Sequence, residues 1–532
     1  MPTGTGKPTS KVRKSLLSSE MECLKIAPNF AYTTLPDESF VQYNLFKLRA
    51  IEDSPRMINA ELLLLGVEEL ERTMADWINW DEVRMGSFHD ALNGEPGTVS
   101  GSMNLSTSAG VGYVEQLKRD LVYENTGNND RVFKEQVFKN VIRMLFAYSI
   151  GETEYPISRW FPKDEPITPE KQAAGRQRVV SSTPMHKLAV AKLVLKHIFL
   201  EMRHGGKAHM AVGINPASKE WSKIPEKFAK FDPKFERIVD SDYVFYDAYI
   251  WFLSHVLGIF LRKLKNNKYF NTKIHIKYEE FDFEITGIEI LRGIAGDMMQ
   301  YIAVVDGVAI LLVDVIESGA EGTAELNSIM ESLVHILIYI LTFMESQSDT
   351  DNSIEKVGMR TCVEKMPPFE ENVALVNYGD DNADTCREEV SSFYYPEARS
   401  IAAAKLGFPI TDARKNPTLC YVPLEKATFL KRRFAWNEEA QAYFAPLEES
   451  SIIKMLCYVK GNSNTLAVLT ANNATSAMRE YFMYGRETYE EKREYLKGLL
   501  SKHDLVRFIP NSWVDFDTLL DQFDQGELDL LS

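Results

Sequence analysis

The sequence predicts an α+β fold in which an antiparallel sheet is set among helices, on three observations. Residues 236–243 alternate as a strand does, with Ile238, Asp240 and Asp242 on one face and Val239, Ser241 and Tyr243 on the other, and a helical run follows from Ala248. Residues 323–344 place Leu326, Met330, Leu333, Leu337 and Leu341 at the i, i+3/i+4 and i+7 spacing of a long amphipathic helix. Residues 372–385 read as a strand, a tight turn at Tyr378-Gly379-Asp380-Asp381 and a more polar return strand, Gly379 supplying the positive φ a short hairpin needs.

The chain has 532 residues, 45% apolar, 11% aromatic and 26% charged, enough for roughly two to four domain-sized units with buried cores. Sixty Lys and Arg against 76 Asp and Glu leave a formal charge of −16. That balance excludes a protein that coats nucleic acid over its whole surface, but it leaves room for a local basic channel. Cys23, Cys362, Cys386, Cys420 and Cys457 are scattered, odd in number and never in a CxxC pair. They carry neither a zinc nor a disulfide signature and suit a reducing compartment.

In chain order, residues 1–35 are polar, locally basic and rich in Thr, Ser, Gly and Pro, and are expected to form an extended arm with no core of its own. Gly4-Thr5-Gly6-Lys7 is not a phosphate loop, because Pro8 follows the lysine and no apolar strand precedes the glycines. No secretory signal is expected. Residues 36–95 are mostly helical in pattern, best seen at 58–77. A Gly/Ser/Thr-rich loop (97–112), a helix (132–150) and a charged loop with three prolines (161–175) follow. The most apolar stretches, 245–261 and 333–344, are too short or too polar for the roughly 20 residues that span a bilayer. Both are expected as buried helices, with no transmembrane segment.

Asp242 ends its strand, and Asp380 with Asp381 tip a hairpin, places where side chains leave a sheet rather than enter its core. A fold that gathers these carboxylates creates repulsion that hard divalent cations such as Mg²⁺ relieve. Two such ions would activate a 3′-hydroxyl and stabilise a leaving pyrophosphate. The bland alternative for each Asp is a turn residue.

Neighbouring blocks give these residues a context. Tyr378-Gly379-Asp380-Asp381 resembles the YGDD hairpin of RNA-dependent RNA polymerases from picorna-like positive-strand RNA viruses (picornavirus, dicistrovirus or iflavirus type), and six further blocks match in order. Asp242 through Asp247 resembles D-x-x-x-x-D, in which the first Asp is a metal ligand and the second senses the ribose. Ser318-Gly319-Ala320-Glu321-Gly322-Thr323 with Asn327 resembles S-G-x-x-G-T-x-x-x-N. Thr323 and Asn327, at i and i+4, share a helix face and would join Asp247 at the ribose 2′-hydroxyl; the bland alternative, helix capping, is outweighed by the neighbouring Ser-Gly pattern. Lys163-Asp164-Glu165 with Lys171, Gly175, Arg176 and Arg178 resembles the fingertip segment whose cations hold the triphosphate. Leu105-Ser106-Thr107-Ser108-Ala109-Gly110 resembles the template loop, which puts Thr107, Ser108, Ala109 and Gly110 against template RNA. Residues 407–415 resemble the block whose lysine, here Lys415, protonates pyrophosphate as general acid. Phe429-Leu430-Lys431-Arg432 resembles the primer grip, with Leu430, Lys431 and Arg432 at the primer.

The resemblance implies a right-hand polymerase with closed fingertips. Fingers would take residues 1–196 and 291–312, the palm 197–290 and 313–436, and the thumb 437–532. It implies RNA-templated transfer of ribonucleotides to an RNA 3′-end, replicating a positive-strand genome, with catalytic Asp242, Asp380, Asp381 and Lys415, and Mg²⁺ or Mn²⁺ on the three aspartates. The implied partners are template and primer RNA, ribonucleoside triphosphates, a genome-linked protein primer and other viral replication proteins. The implied place is the host cell cytoplasm, at membrane-associated replication complexes. Three alternatives remain at this point: a reverse transcriptase, which shares the Y-x-D-D hairpin; a non-catalytic RNA-binding scaffold; and a single-subunit DNA-directed RNA polymerase, which lacks Gly-Asp-Asp.

The chain departs from the resembling family at Val111-Gly112-Tyr113 after the template loop, at the longer stretch between Asp247 and Ser318, and at Glu321, a carboxylate inside the flexible loop. His204 and His209 lack zinc-ligand partners at useful spacing. His335 reads as a satisfied core histidine, and Phe393-Tyr394-Tyr395 as core rather than a base-stacking platform. Residues 156–237 hold sixteen Lys and Arg against eight Asp and Glu, whereas the last twenty residues hold six acids and no base. Cations therefore gather where triphosphate and RNA would pass.

Overall fold

Apolar spacing and end signals set the elements along the chain, which a computed structural model describes at residues 10–23, 58–94, 102–113, 116–124, 130–175, 177–243, 252–305, 307–461, 465–509 and 513–530. Strand β1 is Val12–Lys14. Helix α1 (Ala60–Ala75) starts where the Asn59 side chain accepts the Glu61 and Leu62 amide N–H groups, and it buries Leu62, Leu65, Leu70 and Met74. Helix α2 (Glu135–Ser149) is preceded at 131–133 by a short strand rather than by the expected helical turn. Strands β2 (Ile157–Pro162) and β3 (Val179–Ser182) flank the charged loop, and helix α3 (Met185–Gly205) follows.

Strand β4 (Val239–Tyr243) lies within the alternating segment. The stretch between Asp247 and Ser318 contains helix α4 (Leu253–Leu264), the hairpin β5 (Lys273–Tyr278) and β6 (Phe281–Thr286), helix α5 (Gly287–Met299), and the hairpin β7 (Gln300–Val305) and β8 (Val308–Val313). A capping box between Thr286 and Glu289 starts α5. Tyr278 packs on Phe138, and Phe281 and Phe283 pack on Phe146, so aromatic edges fasten the first hairpin to α2.

The long helix α6 (Thr323–Ser346) is followed by strands β9 (Val373–Tyr378) and β10 (Asp381–Cys386), helix α7 (Pro396–Lys405) and strand β11 (Ile410–Asp412). Strands β12 (Ala435–Asn437) and β13 (Ala442–Phe444), helix α8 (Glu449–Cys457), strand β14 (Tyr458–Lys460) and helices α9 (Leu466–Phe482), α10 (Arg486–Lys502) and α11 (Phe516–Gln525) complete the chain.

The central sheet has the order β9-β10-β4-β11, with every pair antiparallel. A second sheet runs β8-β7-β2-β3, with β2 parallel to β7. Helix α6 supports the central sheet. By length and hydropathy it could cross a membrane, yet 89% of its most apolar window is buried inside the protein, as a core helix requires.

The N-terminal segment differs from the expected arm. Strand β1 pairs with β14, and Val12, Leu17 and Met21 are buried in the core of the C-terminal helices. The polar composition hid three apolar residues that complete a core built some 450 residues away. Residues 1–9 lie outside the described residues.

Candidate active site

The two acidic positions meet because of strand register. Tyr378 pairs with Asp381 across a two-residue turn in which Gly379 has φ 67°. On the other edge of β10, Asn382 pairs with Ser241 as the last pair of the ladder. One step further along that register brings Asp381 alongside Asp242 at the open end of the sheet. Asp380 sits exposed at the tip, and Asp242 is half-buried. Asp381 Oδ2 accepts the Leu430 amide N–H at 2.8 Å. Burial, opposed by that N–H and reinforced by Asp380 and Asp240, raises the Asp381 carboxyl to about 7. Asp242 Oδ2 is paired with the Lys415 ammonium.

These donors fit a divalent cation. Asp242, Asp380 and Asp381 offer only hard oxygens, one already draws a cationic group, and another is held short of full ionisation in a way that added positive charge would reverse. Among the described residues no three His, Cys, Asp or Glu side chains come together as a ready metal-binding group.

Lys415 occupies a left-handed backbone position, φ 69°, in a turn wrapped around Asp412. Asp412 Oδ1 accepts the amides of Arg414 (2.9 Å) and Asn416 (2.7 Å), and its carbonyl accepts that of Lys415. Arg414 reaches from this turn to buried Asp240, which also accepts the Thr428 amide at 2.9 Å. Asp240 therefore fastens both the lysine turn and the 429–432 segment to the strand that carries Asp242. Burial, with the Lys171 and Lys431 ammoniums, holds Lys415 below its usual value.

The fingertip segment reaches the same place. Lys163 pairs with Glu165 at 3.3 Å, and its amide donates to the Arg178 carbonyl at 2.7 Å. Lys171 and Arg178 are exposed; Arg176 and Asp247 lie outside the described residues. Asp164 accepts from Ser10 Oγ (2.6 Å) and the Lys11 amide (2.9 Å), and its carbonyl accepts from Lys460 Nζ at 2.7 Å. Lys454 donates to the Pro166 carbonyl at 3.1 Å. Burial lowers the Lys454 ammonium, opposed by Glu165 and helped by Lys431, Lys171 and Lys163. Cations from four chain segments thus crowd one region.

Strand β3 joins the remaining blocks. The Ser181 amide donates to Ser318 Oγ at 2.9 Å, Ser181 Oγ accepts the Gly319 amide at 2.8 Å, and Ser182 Oγ donates to Ser108 Oγ at 3.3 Å. A Cβ on Gly319 would meet the Ser181 carbonyl at 2.6 Å, so the close approach requires glycine. Glu321 pairs with Lys192 at 2.9 Å, which gives the unexpected carboxylate a partner on α3. The Thr323 hydroxyl donates to the Glu317 and Ala320 carbonyls, bracing its own loop, while Asn327 lies half-buried one turn on. In the template loop, Thr107 Oγ1 accepts from Lys118 Nζ at 2.9 Å, buried Ala109 pairs its backbone with Gln116 and Met185, and Gly110 abuts Pro184. Tyr113 is buried and bonded to His186 and Asn140.

The 429–432 segment divides. Leu430 and Lys431 both have positive φ, and Lys431 is exposed. Arg432 turns inward to a two-pronged pair with Glu480 at 2.8 Å and to the Ala445 carbonyl at 2.9 Å. Among the other residues singled out in the sequence, His335 is buried 3.0 Å from Glu331, burial keeping its imidazole neutral. His209 bonds Ser332 Oγ at 2.9 Å, and Phe393 and Tyr394 are core, whereas Tyr395, expected with them, is exposed.

Sequence reasoning missed Asp240, Asp412, Arg414 and Lys454. Asp240 carried a signal, since it shares the strand face of Asp242 and a buried aspartate needs a cation. Lys454 carried none, because its partner loop is 288 residues away.

Known proteins resemble this chain. The profile of the family described as viral RNA-dependent RNA polymerase matches residues 89–497. The chain is 26% identical over 339 residues to the RNA1 polyprotein of Grapevine fanleaf virus, covering 62% of this chain and 13% of that protein. It is 24% identical over 344 residues to the replicase polyprotein of Cricket paralysis virus (64% and 18%). To the RNA1 polyprotein of Cowpea mosaic virus it is 24% identical over 441 residues (79% and 21%). The matched part is thus between 13% and 21% of the length of these relatives. The solved Sicinivirus 3Dpol RNA dependent RNA polymerase superposes with TM-score 0.72 over 99% of both chains at 14% identity, and so shares the right-hand fold. Because the profile spans every block from the template loop to the primer grip, the chain belongs to the family of viral RNA-dependent RNA polymerases.

Proposed function

We propose that the chain extends an RNA 3′-end by a two-metal nucleotidyl transfer in which Asp242, Asp380 and Asp381 hold Mg²⁺ or Mn²⁺. The observation that carries this reading is the register that puts the strand ends bearing Asp381 and Asp242 next to each other, with Lys415 on the Asp242 carboxylate and the fingertip cations close by. Bound divalent cations would lower the pKa of the attacking 3′-hydroxyl and neutralise the departing pyrophosphate. Lys163, Lys171, Arg176 and Arg178 orient the triphosphate in line with the primer end. Lys415, its ammonium already lowered, gives a proton to the leaving pyrophosphate oxygen. Asn327 and Asp247 read the 2′-hydroxyl, and Ser318, Gly319 and Thr323 hold the loop that leads into the helix carrying Asn327. Thr107, Ser108, Ala109 and Gly110 guide the template. Leu430 and Lys431 meet the primer, while Arg432 ties that grip to α9.

In this reading, fingers comprise 1–196 and 291–312, palm 197–290 and 313–436, and thumb 437–532. A genome-linked protein primer, other viral replication proteins and membrane-associated complexes in the host cytoplasm complete the setting. The test is extension of a short primer on homopolymer RNA with ribonucleotides or deoxynucleotides, with and without Mg²⁺, and with a DNA template as control. Mg²⁺-dependent ribonucleotide incorporation on RNA alone is expected. Equal use of deoxynucleotides would mark a reverse transcriptase, activity on DNA alone a DNA-directed enzyme, and no extension in any arm a scaffold.

A further inference from the structure

Asn382 directly follows the aspartate pair and has no part in the chemistry above. It is completely buried, and its single amide touches three elements. Its Oδ1 accepts the Ser241 hydroxyl at 2.6 Å, and Ser241 is the residue before Asp242. Its Nδ2 donates to Glu331 Oε1 on α6 at 3.0 Å and to the Asp380 carbonyl at 3.4 Å. Helix α6 grips the same hairpin twice more: Ser328 Oγ accepts the Gly379 amide at 2.9 Å, and the Ser328 carbonyl accepts Asn377 Nδ2 at 2.9 Å.

Glu331 and Ser241 are also fully buried, a costly arrangement inside an apolar helix and a core strand. A planar amide has fixed dimensions, so it sets a length between the two strands where their ladder ends. We propose that Asn382 is a positioning residue that fixes the separation between Asp242 and the Asp380–Asp381 turn, with Glu331 as its anchor. This rests on the reading that those aspartates hold the metal ions. Because α6 begins at Thr323 and carries Asn327 one turn on, the same anchor keeps the ribose-reading end of the helix in register with the catalytic turn.

The test compares the parent with N382A, S241A and E331Q. It measures single-nucleotide incorporation with Mg²⁺ and with Mn²⁺, Mn²⁺ binding to the protein without nucleotide or RNA, and hydrogen exchange of the 378–381 amides. N382A is expected to lower kcat with Mg²⁺ and weaken Mn²⁺ binding by about tenfold or more, the usual effect of removing an outer partner of a metal ligand. KM should stay within about twofold and the loss should be smaller with Mn²⁺, because Mg²⁺ demands the stricter geometry. Amides 378–381 should exchange faster. E331Q keeps a carbonyl acceptor for Nδ2 and should stay within about threefold of the parent. Should N382A not fold, S241A, which removes one bond, must shift the Mn²⁺/Mg²⁺ ratio and the exchange in the same direction. An unchanged ratio and unchanged Mn²⁺ binding in the folded variants would overturn the proposal, as would equal losses with both ions. Parental extension without divalent cation would instead refute the metal-site reading itself.

Discussion

Arg432→Met would strand a buried carboxylate. The Arg432 fork meets both Glu480 oxygens at 2.8 Å and the Ala445 carbonyl at 2.9 Å, with the two side chains 10% and 1% exposed. Unit charges about 4 Å apart attract by about 4 kcal/mol at the effective dielectric of a protein edge. Most of that attraction is offset by desolvation while the pair is intact, but loss of one partner leaves the other charge unmatched, at a cost of about 3–5 kcal/mol. Replacing both by apolar residues of similar size (R432M with E480M) should recover most of this loss. Urea unfolding followed through Trp513, whose indole N–H bonds Thr475 on the same helix as Glu480, reports the relevant region. The single variants should lose about 3–5 kcal/mol and the double variant about 1–2 kcal/mol, a coupling that only a double-mutant cycle isolates. Primer extension should fall with them, since the Leu430 amide held by this segment bonds Asp381. A single-variant loss below about 1 kcal/mol, or a double variant no more stable than the singles, would refute the buried-pair reasoning.

Three further outcomes follow from the site geometry. Lys415→Ala should lower kcat by about 10²–10⁴-fold with little change in RNA affinity, read by rapid-quench incorporation. Because the Lys415 ammonium is held below its usual value, the parent's rate should fall as pH rises through that lowered value, and Lys415→Arg should move the alkaline limb upward. Gly319→Ala drives a Cβ to 2.6 Å from the Ser181 carbonyl and should cost about 1–3 kcal/mol in thermal unfolding, with a loosened preference for ribonucleotides.

Local chemistry made the elements of the candidate site legible in the sequence. Strand alternation around Asp242, the glycine turn before Asp380 and the apolar stripe of α6 each depend on a few neighbouring residues, and the structure contains all three. What stayed hidden depends on partners far along the chain. Arg432 reads as an exposed cation until Glu480 is brought to it, and Asp164 reads as a loop charge until residues 10, 11 and 460 surround it. The Thr323 hydroxyl reads as free for a ligand, yet carbonyls of its own loop accept it. Buried apolar residues at Val12, Leu17 and Met21 were masked by polar neighbours.

The most direct measurement is single-turnover incorporation by Asp380→Ala alongside its affinity for a primer–template RNA. Asp380 is exposed at the turn tip and outside the packed core, so the variant should fold and bind RNA within a few-fold of the parent. Incorporation with Mg²⁺ should be lost. Incorporation at the parental rate by the folded variant would contradict a catalytic centre built on this hairpin.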